Sequence, residues 1–113
     1  MYFKILEFLK KDYDELFFLY QFDSWRFWEA LYSNTIPVHI DLESWGAMLP
    51  VMPVNKKHYL GINKLQVNQF SKEILALPKQ QLRQIAMDGK LWAFENYSPK
   101  AVAERLLKLI ETI

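Results

Sequence analysis

The stretch Phe22–Asp41, FDSWRFWEALYSNTIPVHID, brings Ser24, Arg26 and Glu29 close together in a segment otherwise crowded with aromatic side chains. The pattern changes from a continuous apolar run at Leu16–Tyr20 to helical spacing at Phe27, Ala30 and Leu31, so a helix is expected to start here with Asp23 or Ser24 as its N-cap. The unpaired N–H groups and partial positive charge at a helix N-terminus suit a phosphate, and Arg26 adds a planar, permanently charged fork. Glu29, one turn further on, is an acceptor suited to vicinal hydroxyls such as those of a ribose. With Asp41 on the same rim, these residues describe a site for a nucleotide diphosphate and its sugar. The plainer alternative is that Arg26 and Glu29, at i and i+3, form an exposed ion pair of small energetic worth.

The elements that would position this set read as a βαβ unit over about 16–41. Leu16–Tyr20 is short, apolar and bounded by acids and by Gln21–Asp23, as a buried strand would be. Asn34 stops the helix, and Ile36–Ile40 follows as a second strand with Pro37 near its start, where proline is tolerated. A unit this compact makes the pairing parallel and the crossover right-handed. The helix then starts at the carboxyl edge of the first strand and the second strand ends there, so Ser24, Arg26 and Glu29 share an edge with Asp41 and Glu43.

On either side of this unit the pattern is mostly helical. Tyr2, Ile5, Leu6, Leu9 and Tyr13 follow amphipathic spacing. Leu42–Val54, with Gly46, Pro50 and Pro53, reads as an aperiodic loop, and Tyr59–Ile62 as a short third strand. From about 66 to the end three helices are expected: one ending before Pro78, one opened by Pro78 or Lys79 and running through about Tyr97, and one opened by Ser98 as N-cap with Pro99 at the first helical position. Gly89 falls on the apolar face of the second, which predicts close packing against a neighbour. In the last helix Val102, Leu106, Leu109, Ile110 and Ile113 are expected to form the buried face, opposite a solvated ladder of Lys100, Glu104 and Lys108. The fold class is therefore α/β: a short parallel, Rossmann-like sheet of two to three strands, flanking helices and a helical C-terminal part, within a single domain over 1–113.

Composition narrows the chemistry. The chain has 113 residues, of which 51% are apolar and 16% aromatic, which points either to a dense core or to apolar surface awaiting a partner. A formal charge of +1 with interspersed signs gives no electrostatic footprint for nucleic acid. Without cysteine, thiol catalysis and cysteine–metal sites are excluded. His39 sits inside a strand pattern and His58 beside Lys56 and Lys57, with no spacing that supports a metal site, and the glycines do not form a P-loop. No covalently bound cofactor is expected. The N-terminal apolar run is interrupted by Lys4 and Glu7 and is too short to span a membrane, so the expectation is a soluble, cytoplasmic protein with no transmembrane segment.

SWRFWEALYSNTIPV resembles a segment of exostosin-like and related glycosyltransferases of the GT-B fold, whose members carry a Ser or Thr, an Arg, Glu-Ala-Leu and a small-residue turn before an Ile-Pro-Val strand. LPKQQLRQIAMDGKLWAFENYSPKAVAERLLKLI is similar to the closing helices of the same enzymes. The resemblance covers about Leu16 to the end and implies part of a C-terminal, donor-binding domain that holds a nucleoside diphosphate sugar. It also implies that Arg26 contacts the diphosphate or sugar, Glu29 the ribose, and Ser24 with the helix N-terminus a phosphate. In such enzymes a second domain supplies the acceptor side, which here would fall to a partner chain or to a homo-oligomer. Two positions depart from the pattern: Gln21-Phe22-Asp23 stands where a glycine-containing turn is usual, and Asn34 replaces the glycine before Thr-Ile-Pro.

Overall fold

A computed structural model describes residues 25–63 and 67–113. The predicted helix over 2–13, the predicted strand at Leu16–Tyr20, which would open the βαβ unit, and Ser24 lie outside the described residues. Within them the order is α1 (Trp25–Tyr32), β1 (Val38–Ile40), β2 (Leu60–Ile62), α2 (Val67–Leu75), α3 (Lys79–Tyr97) and α4 (Pro99–Glu111). This is a mixed α/β arrangement of four helices and a two-stranded parallel sheet.

Helix α1 is amphipathic because Phe27 and Leu31, four residues apart, are both buried. Its C-terminus is closed by Asn34, which takes the left-handed conformation with φ 58°. The Asn34 N–H donates to Leu31 O and the Thr35 N–H to Ala30 O, the paired bonds of a Schellman motif. Asparagine tolerates this conformation better than most other side chains do, so Asn34 can close the helix without a glycine.

The two strands are three residues each, with Val38 opposite Leu60, His39 opposite Gly61 and Ile40 opposite Ile62. Parallel strands need a long crossover. Here residues 41–59 supply it with turns and a single bridge instead of a helix. That segment is held by side chains gripping its backbone. The Tyr59 hydroxyl accepts from the Leu42 N–H at 2.9 Å, while the Tyr97 hydroxyl accepts from the Val51 N–H at 3.0 Å and donates to Val51 O at 2.7 Å.

Burial follows the aromatics. Phe27, Leu31, Leu42, Tyr59, Trp92 and Ala93 form the buried cluster, with Trp28, Trp45 and Tyr97 packed against it. The Trp92 ring stacks with Trp28 at 5.8 Å and with His58 at 5.5 Å. Gly89, on the same face of α3, permits this approach, since a Cβ there would lie 2.3 Å from His58 O.

The capping prediction at the last helix holds: Ser98 Oγ accepts from the Ala101 N–H at 3.2 Å, with Pro99 in the first turn. The predicted buried face does not. Val102, Leu106, Leu109 and Ile110 are each exposed, as is Ile113. The reason is the side of α4 that meets α3: Ala101 and Arg105 are its half-buried positions, and the Arg105 guanidinium bonds Asn96 O and lies over the Tyr97 ring. Cation–π and hydrogen-bond contacts thus orient the helix, and the aliphatic stripe is turned away from the core. Among the described residues no helix is long and apolar enough to cross a membrane.

Candidate functional site

The register of the sheet decides which residues meet at its carboxyl edge. Ile40 pairs with Ile62, and the Asp41 N–H donates to Ile62 O at 3.0 Å, so Asp41 and Asn63 leave the two strands side by side. They line one pocket of about 200 Å³ with Asn55, Lys56, Gly61, Phe70 and Glu73. A crevice outside the carboxyl ends of parallel strands is where α/β sheets bind ligands.

Asp41 is held firmly. Its Oδ2 accepts from Ser44 Oγ at 2.5 Å and its Oδ1 from the Tyr59 hydroxyl at 3.1 Å. Tyr59 is completely buried, and that burial, more than the neighbouring Asp41 charge, pushes its phenol well above the ordinary tyrosine range. It therefore remains a proton donor to Asp41 throughout the physiological range.

Asn55 is a brace. Its Oδ1 accepts from the Gly61 N–H at 2.7 Å and its Nδ2 donates to Gly61 O at 3.3 Å, so one amide side chain holds the turn against β2 as a neighbouring strand would. Gly61 carries no side chain for a reason visible here: a Cβ would lie 2.9 Å from both Asn55 Cγ and Asp41 Cα. Lys56 adopts a left-handed backbone, φ 65°, and its Nζ pairs with Glu73 Oε2 of α2 at 3.2 Å. A second, mainly apolar chamber of about 290 Å³ shares Asn55, Lys56, Gly61, Phe70 and Glu73 and adds Leu60, Ile74, Ala76 and Leu77.

Arg26 and Glu29 are exposed on α1 and do not line this pocket. Among the described residues the ion pairs are Lys56–Glu73 and Lys100–Glu104, so the expected alternative of an Arg26–Glu29 pair is not formed. The first turn of α1 is nonetheless tied to the Asp41 end of the sheet. Phe27 packs edge-on against His39 at 5.2 Å and against Tyr59 at 5.7 Å, and Tyr59 reaches Asp41. Of the predicted set, then, Asp41 lies in the pocket, Arg26 and Glu29 are exposed on α1 outside its lining, and Ser24 lies outside the described residues.

Sequence reasoning missed Asn63, Lys56, Glu73 and the role of Tyr59. One signal was present: if Tyr59–Ile62 is a strand parallel to Ile36–Ile40, the polar residue after each strand must share an edge. His58, read as a loop residue among lysines, is buried: its Nδ1 accepts from the Val54 N–H at 2.9 Å and its ring covers Trp92. Burial, and secondarily Lys57, lowers its pKa against an opposing pull from Asp88. Among the described residues no group of three or more His, Asp or Glu side chains is placed to hold a metal ion. Comparison with protein-family models, curated proteins and solved structures gives no match.

Proposed function

We propose that this chain is the nucleotide-sugar-binding portion of a glycosyltransferase, a part of a GT-B-like donor domain. The observation that carries the reading is the shared carboxyl edge of the parallel pair, where Asp41 and Asn63 enter one pocket and Asp41 is bonded by Tyr59, against which Phe27 of α1 packs. On this reading Arg26 neutralises the diphosphate and Glu29 accepts from ribose hydroxyls, with Ser24 contributing at the start of the same helix. Transfer breaks the bond from the anomeric carbon to the diphosphate oxygen and forms one to the acceptor oxygen, whose proton passes to a base. Arg26 would stabilise the charge that develops on the departing diphosphate. The acceptor side would come from a partner chain.

The test is an NMR titration of the labelled protein with UDP and GDP. Saturable shifts in the amides of Trp25–Glu29 and Asp41–Glu43, lost in Arg26→Ala and Glu29→Ala, are expected. Silence at both places at millimolar nucleotide, in a folded sample, would overturn the proposal.

A second reading is favoured by one observation: Trp25 is 85% exposed and α4 presents Leu106, Leu109 and Ile110 to solvent. Apolar surface of this kind marks an interaction face, and a transferase-like fold kept as an inactive binding or assembly module would use it. Self-association through α4 without nucleotide binding would select this alternative.

A further inference from the structure

We infer that α4 is a self-pairing surface: two copies of this chain associate through its aliphatic face as an antiparallel, twofold-symmetric pair. The inference rests on the second reading above, to whose interaction face it gives an occupant and an orientation, and it holds whether or not the chain binds a nucleotide.

Spacing defines the face. Val102, Leu106 and Leu109, continued by Ile113 just past the helix end, recur at intervals of four, three and four residues, the seam of a two-helix contact. Leu107 and Ile110 widen the seam to one side. All six are exposed, while Ala101 and Arg105, the half-buried positions, lie on the side that meets α3.

Charge selects the partner and its direction. Lys100 stands in the first turn of α4 and Glu111 is its last residue, so each sits at the helix end whose partial charge has its own sign, an unfavourable placement within one chain. Eleven residues separate them, about three turns and about 16 Å, so they lie along one rim of the helix, the rim that Leu107 borders. A twofold axis crossing the face at the level of Leu106 turns the helix end for end and keeps that rim on the same side. Lys100 then stands beside Glu111 of the second copy and beside the negative end of its helix, and the reciprocal contact forms at the other end. A parallel pair would instead gather both lysines at one end and both glutamates at the other. Within one chain Lys100 pairs with Glu104 at 3.9 Å, both exposed, a contact that is easily exchanged. At 13 residues α4 is about 20 Å long, so the contact belongs to the small class of interfaces, below about 1,200 Å² in total, where association is weak and reversible.

Sedimentation equilibrium of the full chain from about 10 μM to about 1 mM tests this. A monomer–dimer equilibrium with a Kd on the order of 100 μM is expected. Leu106→Glu, which sets two like charges together at the twofold axis, should give monomer throughout. Lys100→Glu and Glu111→Lys should each raise Kd by about fivefold, because like charges then adjoin at both ends of the pair, and the double exchange should restore it to within about threefold of wild type. Urea midpoints at a few micromolar, where the wild type is monomeric, check that each variant is folded. A dimer indifferent to Leu106→Glu, or single reversals that leave Kd unchanged or are not rescued by the exchange, would overturn the inference. So would a monomer at every concentration, and the midpoint then separates two cases. Unchanged in Leu106→Glu, it defeats self-pairing alone and leaves the face to a different protein; clearly lowered, it shows the face covered within the chain and defeats the second reading as well.

Discussion

Replacing Gly89 by alanine sets two effects of opposite sign against each other. In an exposed helix the change gains about 1 kcal/mol from propensity. In α3 the new Cβ would stand 2.3 Å from His58 O, 2.9 Å from Leu31 Cδ2 and 3.2 Å from His58 C. The leucine methyl can yield, but the carbonyl belongs to backbone, so the turn carrying His58 and Tyr59 must retreat from α3 by about 1 Å to reach an ordinary van der Waals distance. That movement loosens the stacking of His58 on Trp92 and pulls on the Tyr59–Asp41 bond. Overpacking of this type costs about 1–3 kcal/mol, and because the clash here is with backbone the upper end, about 3 kcal/mol, applies before the propensity gain is subtracted. The net expectation is a loss of about 2 kcal/mol. At a urea m-value of about 2 kcal/mol/M this lowers the midpoint by about 1 M with the slope unchanged. Equilibrium urea unfolding followed by tryptophan fluorescence measures it directly. An alanine variant at or above the wild-type midpoint would refute the packing argument and leave propensity as the controlling term.

Tyr59→Phe removes the hydrogen bond to the Asp41 side chain and leaves the Leu42 N–H without its side-chain acceptor, and thermal unfolding should show a loss of about 2–4 kcal/mol; a change within about 0.5 kcal/mol would contradict the bridging role. Because the folded-state pKa of Tyr59 is raised, its stabilisation is complete below about pH 10 and is lost as pH rises beyond it, so the loss of stability at alkaline pH should be smaller in the phenylalanine variant than in the wild type, as urea midpoints at about pH 8 and about pH 11 would show. His58 has the opposite sign: its folded-state pKa is lowered, so its contribution is complete above the ordinary value of 6.5 and is lost as pH falls from there through the folded value. Urea midpoints at pH 7.5 and pH 5 should diverge in the wild type and converge in His58→Asn, whose amide oxygen can still accept from Val54. Leu106→Glu and Leu109→Glu, at exposed positions of α4, should leave the unfolding midpoint within about 0.5 kcal/mol, while sedimentation would show any self-association through this face abolished.

What could be read beforehand follows from the range over which each signal acts. Local chemistry was legible: Asn34 ends α1, Ser98 and Pro99 open α4, and Gly89 marks a close approach, all decided within a few residues. The short strand at Leu60–Ile62 was legible for the same reason. The aliphatic period of α4 was correctly seen, but period reports only that one face is apolar, not that anything covers it. The bond between Asp41 and Tyr59 spans a separation of 18 residues and has no local trace, and the polar run Lys56-Lys57-His58 conceals a buried imidazole. Asp41 was placed at the sheet edge by topology. The residues that enclose it, on the turn at 55–56 and on α2, could be found only once β2 was paired with β1.

The grip of Tyr97 on Val51 has a consequence for how this sequence can diverge. The hydroxyl bonds the N–H and the C=O of Val51 and never touches its side chain through a hydrogen bond. An attachment made to the main chain is indifferent to which amino acid supplies it, with proline as the exception because it lacks the N–H. Position 51 is therefore free to drift within the limits of its half-buried volume, while position 97 is not. Within the irregular segment between the strands, change at position 51 leaves this one attachment intact as long as the Tyr97 phenol is retained.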